Sequence, residues 1–297
     1  YSLASHEDQE DMFRSYCDVL NSLPTDATTK ITINNRRLNG ADFKRSILMQ
    51  QKGDGLDAYR REYNSVLTEK AAVSNNLIQD KYITVSVPRK NVEEARAFFH
   101  RVDADLSKNL GKLDSGAQVL GNQERLRVLH DFFRPGSEQF FQFDMETAMR
   151  RGHHFKDYIV PDGMRFRKDH FEIGGKVGRV LFLREYASYI KDSMITDLSD
   201  FSRNLMLSID ILPIPTDEAV KEMQRRIMGI EADITRWQQR QNDHNNFTAT
   251  IPYDLEQLRT EATEFLDDLS TRDQRMIFGN VTLVHLADSL AQLDTDT

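Results

Sequence analysis

Five basic side chains offer the most obvious contact chemistry in the chain. They are Arg150, Arg151, Arg165, Arg167 and Lys168, with Phe166 and His170 interleaved among the last three. Guanidinium forks match phosphate oxygens and aromatic rings stack on bases, so this run is a candidate contact for phosphate, nucleic acid or anionic lipid. An ordinary solvated loop explains the same residues and is the commoner outcome for a charged run. Arg225-Arg226 and Arg236/Arg240 add positive charge further on. A phosphate-cradling loop would need G-x-x-x-x-G-K-[ST], which occurs nowhere in the sequence. The nearest glycine cluster, Gly174-Gly175-Lys176-Val177-Gly178, precedes a strand pattern and reads as a hairpin turn. His153-His154 are adjacent, with no H-x-x-x-H spacing, and read as surface residues rather than metal ligands. His130, between Leu129 and Phe132, reads as a hydrogen-bonded structural histidine, and Cys17 as a buried, inert thiol. The carboxylates Glu93-Glu94, Asp217-Glu218 and Asp267-Asp268 fall at helix starts or on solvated faces. No catalytic, cofactor-binding or metal-ligating set is expected.

Hydrophobic periodicity marks the elements that must carry these residues. Phe13, Tyr16, Leu20 and Leu23 trace an amphipathic helix stopped before Pro24, and Leu56, Tyr59, Tyr63 and Val66 a second helix entered through Gly53-Asp54-Gly55. Ile83, Val85 and Val87 alternate with polar residues, and Val92, Ala95, Phe99, Val102 and Leu106 then step along a helix. The second half repeats this order. Leu205, Leu207, Ile209 and Ile211 form a strand closed by Pro213 and Pro215, and Thr216 reads as a helix N-cap. Met223, Ile227, Ile230, Ile234 and Trp237, followed after the loop Asn242–Thr250 by Leu255, Leu258, Ala262, Phe265 and Leu269, predict an antiparallel helical hairpin over about 216–272. A strand over about 276–286 and a helix from Asp288 complete the pattern.

The fold class expected is α+β, as two related sub-domains of antiparallel sheet covered by helices, 1–150 and 151–297, with the hairpin in the second. The 297 residues are 39 % apolar and 29 % charged, enough for a substantial core, and the net charge of −8 excludes a general basic coat for duplex nucleic acid. One cysteine permits no internal disulfide and points to a reducing compartment. No apolar run approaches a membrane span, no signal peptide opens the chain, and the first residue, Tyr1, points to a piece of a longer protein.

Several stretches, in order along nearly the whole chain, carry a resemblance: Tyr1–Ala4, Phe13–Asn21, Tyr59–Tyr63, Lys81–Thr84, Glu124–His130, Lys156–Pro161 and Arg272–Met276. Together they resemble the N-terminal region of the large conjugative ATPases of type IV secretion systems, the CagE/TrbE/VirB family, in the form carried by conjugative elements of Gram-positive bacteria. The resemblance implies a non-catalytic docking and assembly domain supporting conjugal DNA transfer, which contacts the inner-membrane channel, other secretion components and copies of itself. It implies a bacterial protein at the cytoplasmic face of the cell membrane, peripherally associated. ATP and Mg are implied only for a C-terminal ATPase domain beyond Thr297, so no cofactor is expected in this chain. Alternatives are a single-stranded nucleic-acid-binding module using the loop 150–170, or a stand-alone adaptor.

Overall fold

The computed structural model describes residues 4–37, 47–73, 77–186, 191, 193–243, 250–271 and 275–297. Residues 244–249 of the expected loop, the opening Tyr1–Leu3 and the run Arg272-Asp273-Gln274 lie outside the described residues. In chain order the elements are α1 (His6–Asn21), β1 (Thr28–Arg37), α2 (Asp57–Val73), β2 (Leu77–Ser86), α3 (Val92–Gly111), α4 (Asn122–Phe133), α5 (Met145–Arg151), β3 (Met164–Phe166), β4 (Phe171–Ile173), β5 (Lys176–Phe182), α6 (Met194–Ser199), β6 (Leu205–Pro213), α7 (Thr216–Asp243), α8 (Tyr253–Thr271), β7 (Ile277–Ala287) and α9 (Leu290–Asp296). This is the expected α+β class. The expected pair of separate sheets is corrected: one seven-stranded sheet, in the order β2-β1-β6-β7-β5-β4-β3, takes strands from both halves of the sequence. Nor do the compact units divide near residue 150. One unit comprises Tyr1–Thr29, Val85–Ala117 and Asp210–Gly279, and the other Lys30–Thr84, Gln118–Ile209 and Asn280–Thr297.

The first unit is mainly helical. Ser5 caps α1 by accepting from the Asp8 N–H at 3.2 Å, and the Ser22 N–H closes its end on the Asp18 carbonyl at 3.0 Å. Asn91 caps α3 in the same way, accepting from the Glu94 N–H at 2.8 Å. The two helices pack together, burying Val19, Leu23 and Phe98. The packed positions differ from the expected stripes: Phe13, Tyr16 and Phe99 are exposed. The expected hairpin is present. α7 starts beyond Pro215, whose carbonyl accepts from Glu218 and Ala219, and it lies against α8. Ala219, Met223, Ile230, Ile234, Ala262 and Leu269 are buried between them, each large side chain contributing about 1.5–3 kcal/mol over its exposed state.

The second unit carries the sheet. β3, β4, β5 and β7 pair antiparallel in turn, with Arg165 opposite Glu172, Phe171 opposite Gly178, and Gly178 opposite Leu286. The β4–β5 turn is the expected Gly174-Gly175, with φ of +53° and +75°, the left-handed region in which a Cβ is strained. Phe171, Ile173 and Leu286 form a core cluster under Phe132 and Phe133 of α4. The terminal helix α9 is tied to the strands electrostatically. Arg179 of β5 meets the Asp294 carboxylate at 2.7 Å. Buried His285 of β7 donates from Nδ1 to the Asn204 carbonyl at 2.8 Å and faces Asp296 with Nε2 at 3.1 Å.

Candidate interaction surface

The basic run sorts into three arrangements. Arg165 and Arg167 converge on one carboxylate, that of Glu172, at 3.9 and 3.0 Å. The Arg167 guanidinium hydrogen bond holds the Glu172 carboxyl below its ordinary range. Arg150 is paired within α5 to Glu146, one turn earlier, at 3.2 Å. Arg151 and Lys168 are exposed, with no hydrogen bond or ion pair among the described residues. Phe166 is 76 % exposed but alternates with Arg165 along β3, so ring and guanidinium leave opposite faces of the strand. Stacking a base and gripping its phosphate would need them on one face. Arg165 and Phe166 therefore do not present together on one side of the strand.

Helix α2 presents the most distinctive surface. Leu56, Tyr59, Tyr63 and Val66, which the periodicity assigns to a packed stripe, are 57, 69, 50 and 45 % exposed. The half-buried positions are instead Asp57, Arg60, Asn64 and Leu67. The reason is a clamp on the polar face. The Asp57 carboxylate accepts from the backbone N–H groups of Lys52 and Gly53 at 3.1 and 2.8 Å. Asp54 accepts from the Leu56 N–H at 3.0 Å, and Arg60 bridges both carboxylates, reaching Asp54 Oδ2 at 2.9 Å. One turn further, the Asn64 amide closes a two-way bond with the Met49 backbone, 2.9 Å from its N–H and 2.8 Å to its carbonyl. Both aspartates are held below the usual carboxylate range, Asp54 chiefly by Arg60 and Asp57 chiefly by the Lys52 N–H. With the polar face committed to the loop 47–54, the apolar face points outward. The sequence signal for this was the spacing Asp54, Asp57, Arg60, Asn64, which puts hydrogen-bonding groups on successive turns of one face.

The remaining candidates are structural. His130 is buried, with Nδ1 3.3 Å from Asp131 and its ring 5.0 Å from that of Phe141, as expected. His154 caps the short 3₁₀ turn Phe155–Tyr158 by accepting from the Lys156 N–H at 3.2 Å, and His153 lies 3.4 Å from the Tyr158 hydroxyl. Cys17 is half-buried rather than buried as expected, and the buried position of α1 is Val19. No group of three metal-ligating side chains occurs among the described residues, and none of the described helices is long and apolar enough to cross a membrane. Compared with known proteins, the chain matches no protein-family model and no curated protein.

Proposed function

We propose that this chain is a non-catalytic docking and assembly module, working as the N-terminal domain of a conjugative type IV secretion ATPase. The observation that carries the docking role is the outward apolar face of α2, whose Tyr59, Tyr63 and Val66, with Leu56 just before the helix, are held toward solvent by the Asp54–Asp57–Arg60 clamp. Tyrosine supplies large contact area at low entropic cost and is enriched at protein interfaces, so such a stripe fits an apolar protein surface. The assignment to a secretion motor is supported by the collinear resemblance spread over the chain. Its partners are the inner-membrane channel and neighbouring copies, and the domain sits peripherally on the cytoplasmic face of the membrane.

A photo-crosslinking residue at position 59 or 63 of the native protein, in cells carrying the transfer system, tests the docking role. The expected products are adducts to a channel component or to a second copy, absent when the same group is placed at exposed Thr263 of α8. Adducts no stronger than at position 263 would remove the α2 face from the reading. The motor assignment is tested separately: the native gene is expected to encode G-x-x-x-x-G-K-[ST] downstream of Thr297. A stop codon there ends that assignment, and ATP turnover by the purified chain ends the non-catalytic one.

A further inference from the structure

In the first unit, the α1–β1 loop and one face of α3 enclose a cleft of about 390 Å³, within the range of small-molecule sites. Three arginines line it, Arg89, Arg101 and Arg275, against two carboxylates, Asp26 and Asp105. Its formal charge is thus positive in a chain whose net charge is −8. Two of the guanidiniums are fixed. Arg89 lies 4.3 Å above the Phe98 ring centroid, donates to the Pro88 carbonyl at 3.0 Å and pairs with Asp26. Arg275 donates to the Leu23 carbonyl at 2.8 Å. Each guanidinium has five N–H donors, so those bonds leave others on both side chains directed elsewhere. Arg101 is exposed and makes no hydrogen bond or ion pair among the described residues. Leu23, Val102 and Leu106 supply an apolar wall beside these cations.

We propose that this cleft binds a small phosphate ester. Planar guanidinium forks recognise phosphate oxygens bidentately, and holding two of them in place beforehand lowers the ordering cost of binding. Arg101 closes on the phosphate as the third cation, and the organic part lies on the apolar wall and the edge of Phe98. The volume suits a body of nucleoside size rather than a bare anion alone. This site is independent of the docking reading, since α2 belongs to the other unit.

Titration calorimetry on the full chain at low salt, with adenosine 5′-monophosphate, inorganic phosphate and adenosine as probes, tests it. The monophosphate is expected to bind most tightly, phosphate weakly and adenosine not measurably. Arg101→Gln is expected to weaken the monophosphate by about tenfold, the scale of one charge-assisted hydrogen bond. Asp105→Asn, which removes a negative charge from the lining without touching a cation, is expected to tighten it. Arg125→Gln, on an exposed arginine of the other unit, is the control and is expected to change nothing. Failure of the monophosphate to bind at millimolar concentration overturns the proposal. So does adenosine binding as tightly as its phosphate, or equal weakening by Arg101→Gln and Arg125→Gln.

Discussion

Asp131 in α4 is largely out of water, 3.3 Å from His130 and 3.8 Å from Arg127. Burial raises its carboxyl above the ordinary value, and the His130 hydrogen bond and the Arg127 charge only partly offset this. A carboxyl that holds its proton more tightly when folded destabilises the fold once charged. That cost is absent below the ordinary value of 3.8, grows as pH rises through the window up to the raised value, and persists above it. Asp131→Asn should therefore gain stability relative to the parent at neutral pH, and lose that advantage in acid. Urea midpoints at both pH values check this, and a variant relatively weaker at neutral pH would mean that the ion pairs outweigh burial. Gly178 poses a steric question instead. A Cβ there would stand 2.7 Å from Leu286 Cδ2 and 2.8 Å from Phe171 Cε1, so Gly178→Ala should cost about 1–3 kcal/mol in the same titration. Of these two constraints neither was legible, because the burial of Asp131 and the approach of Leu286 to Gly178 are both products of tertiary packing. The Gly174-Gly175 turn and the buried His130 were legible, since their causes lie within a few residues.

Helices show where periodicity stops being enough. In α7 and α8 the expected stripes largely coincide with the buried cluster of Met223, Ile230, Ile234, Ala262 and Leu269, because each helix has the other as its partner. In α2 the same kind of stripe was read equally well and faces the opposite way. Periodicity identifies the apolar face of a helix but not what the polar face meets. Here the polar face meets backbone groups of the loop 47–54 through Asp57 and Asn64. The contrast is measurable. Ile234→Ala, at a buried position of the hairpin, should lose about 2–5 kcal/mol. Tyr63→Ser, at an exposed position of α2, should stay within about 0.5 kcal/mol of the parent. A core-sized loss from Tyr63→Ser would show that the α2 stripe is already packed, and would leave no free face for a partner.

At the level of the whole chain, the internal parallel seen in the sequence has a structural counterpart other than the expected two sub-domains. The segments 84–102 and 208–227 share a strand, a proline, an acidic helix start and an amphipathic helix. Both carry the chain from the sheet-bearing unit into the helical one, at Thr84/Val85 and at Ile209/Asp210. The repeat is one of connectivity. What periodicity does not contain is pairing order: β1 lies beside β6, which is about 170 residues later, and only long-range packing decides that. The six alternating segments mean that the chain passes between the units five times, and a cut after residue 150 falls inside the 118–209 segment. It would also part α1 and α3 from the α7–α8 hairpin that completes their unit. Fragments 1–150 and 151–297, purified separately, should therefore lack a cooperative urea transition, because each must leave apolar core positions of both units exposed. Mixed together, they should recover such a transition, since no covalent step separates them from the intact packing. A sharp, independent transition for 1–150 alone would show that its helices and strands form a core without the second half. The interleaved units would then be a late association of two separate folding blocks rather than the basis of the fold.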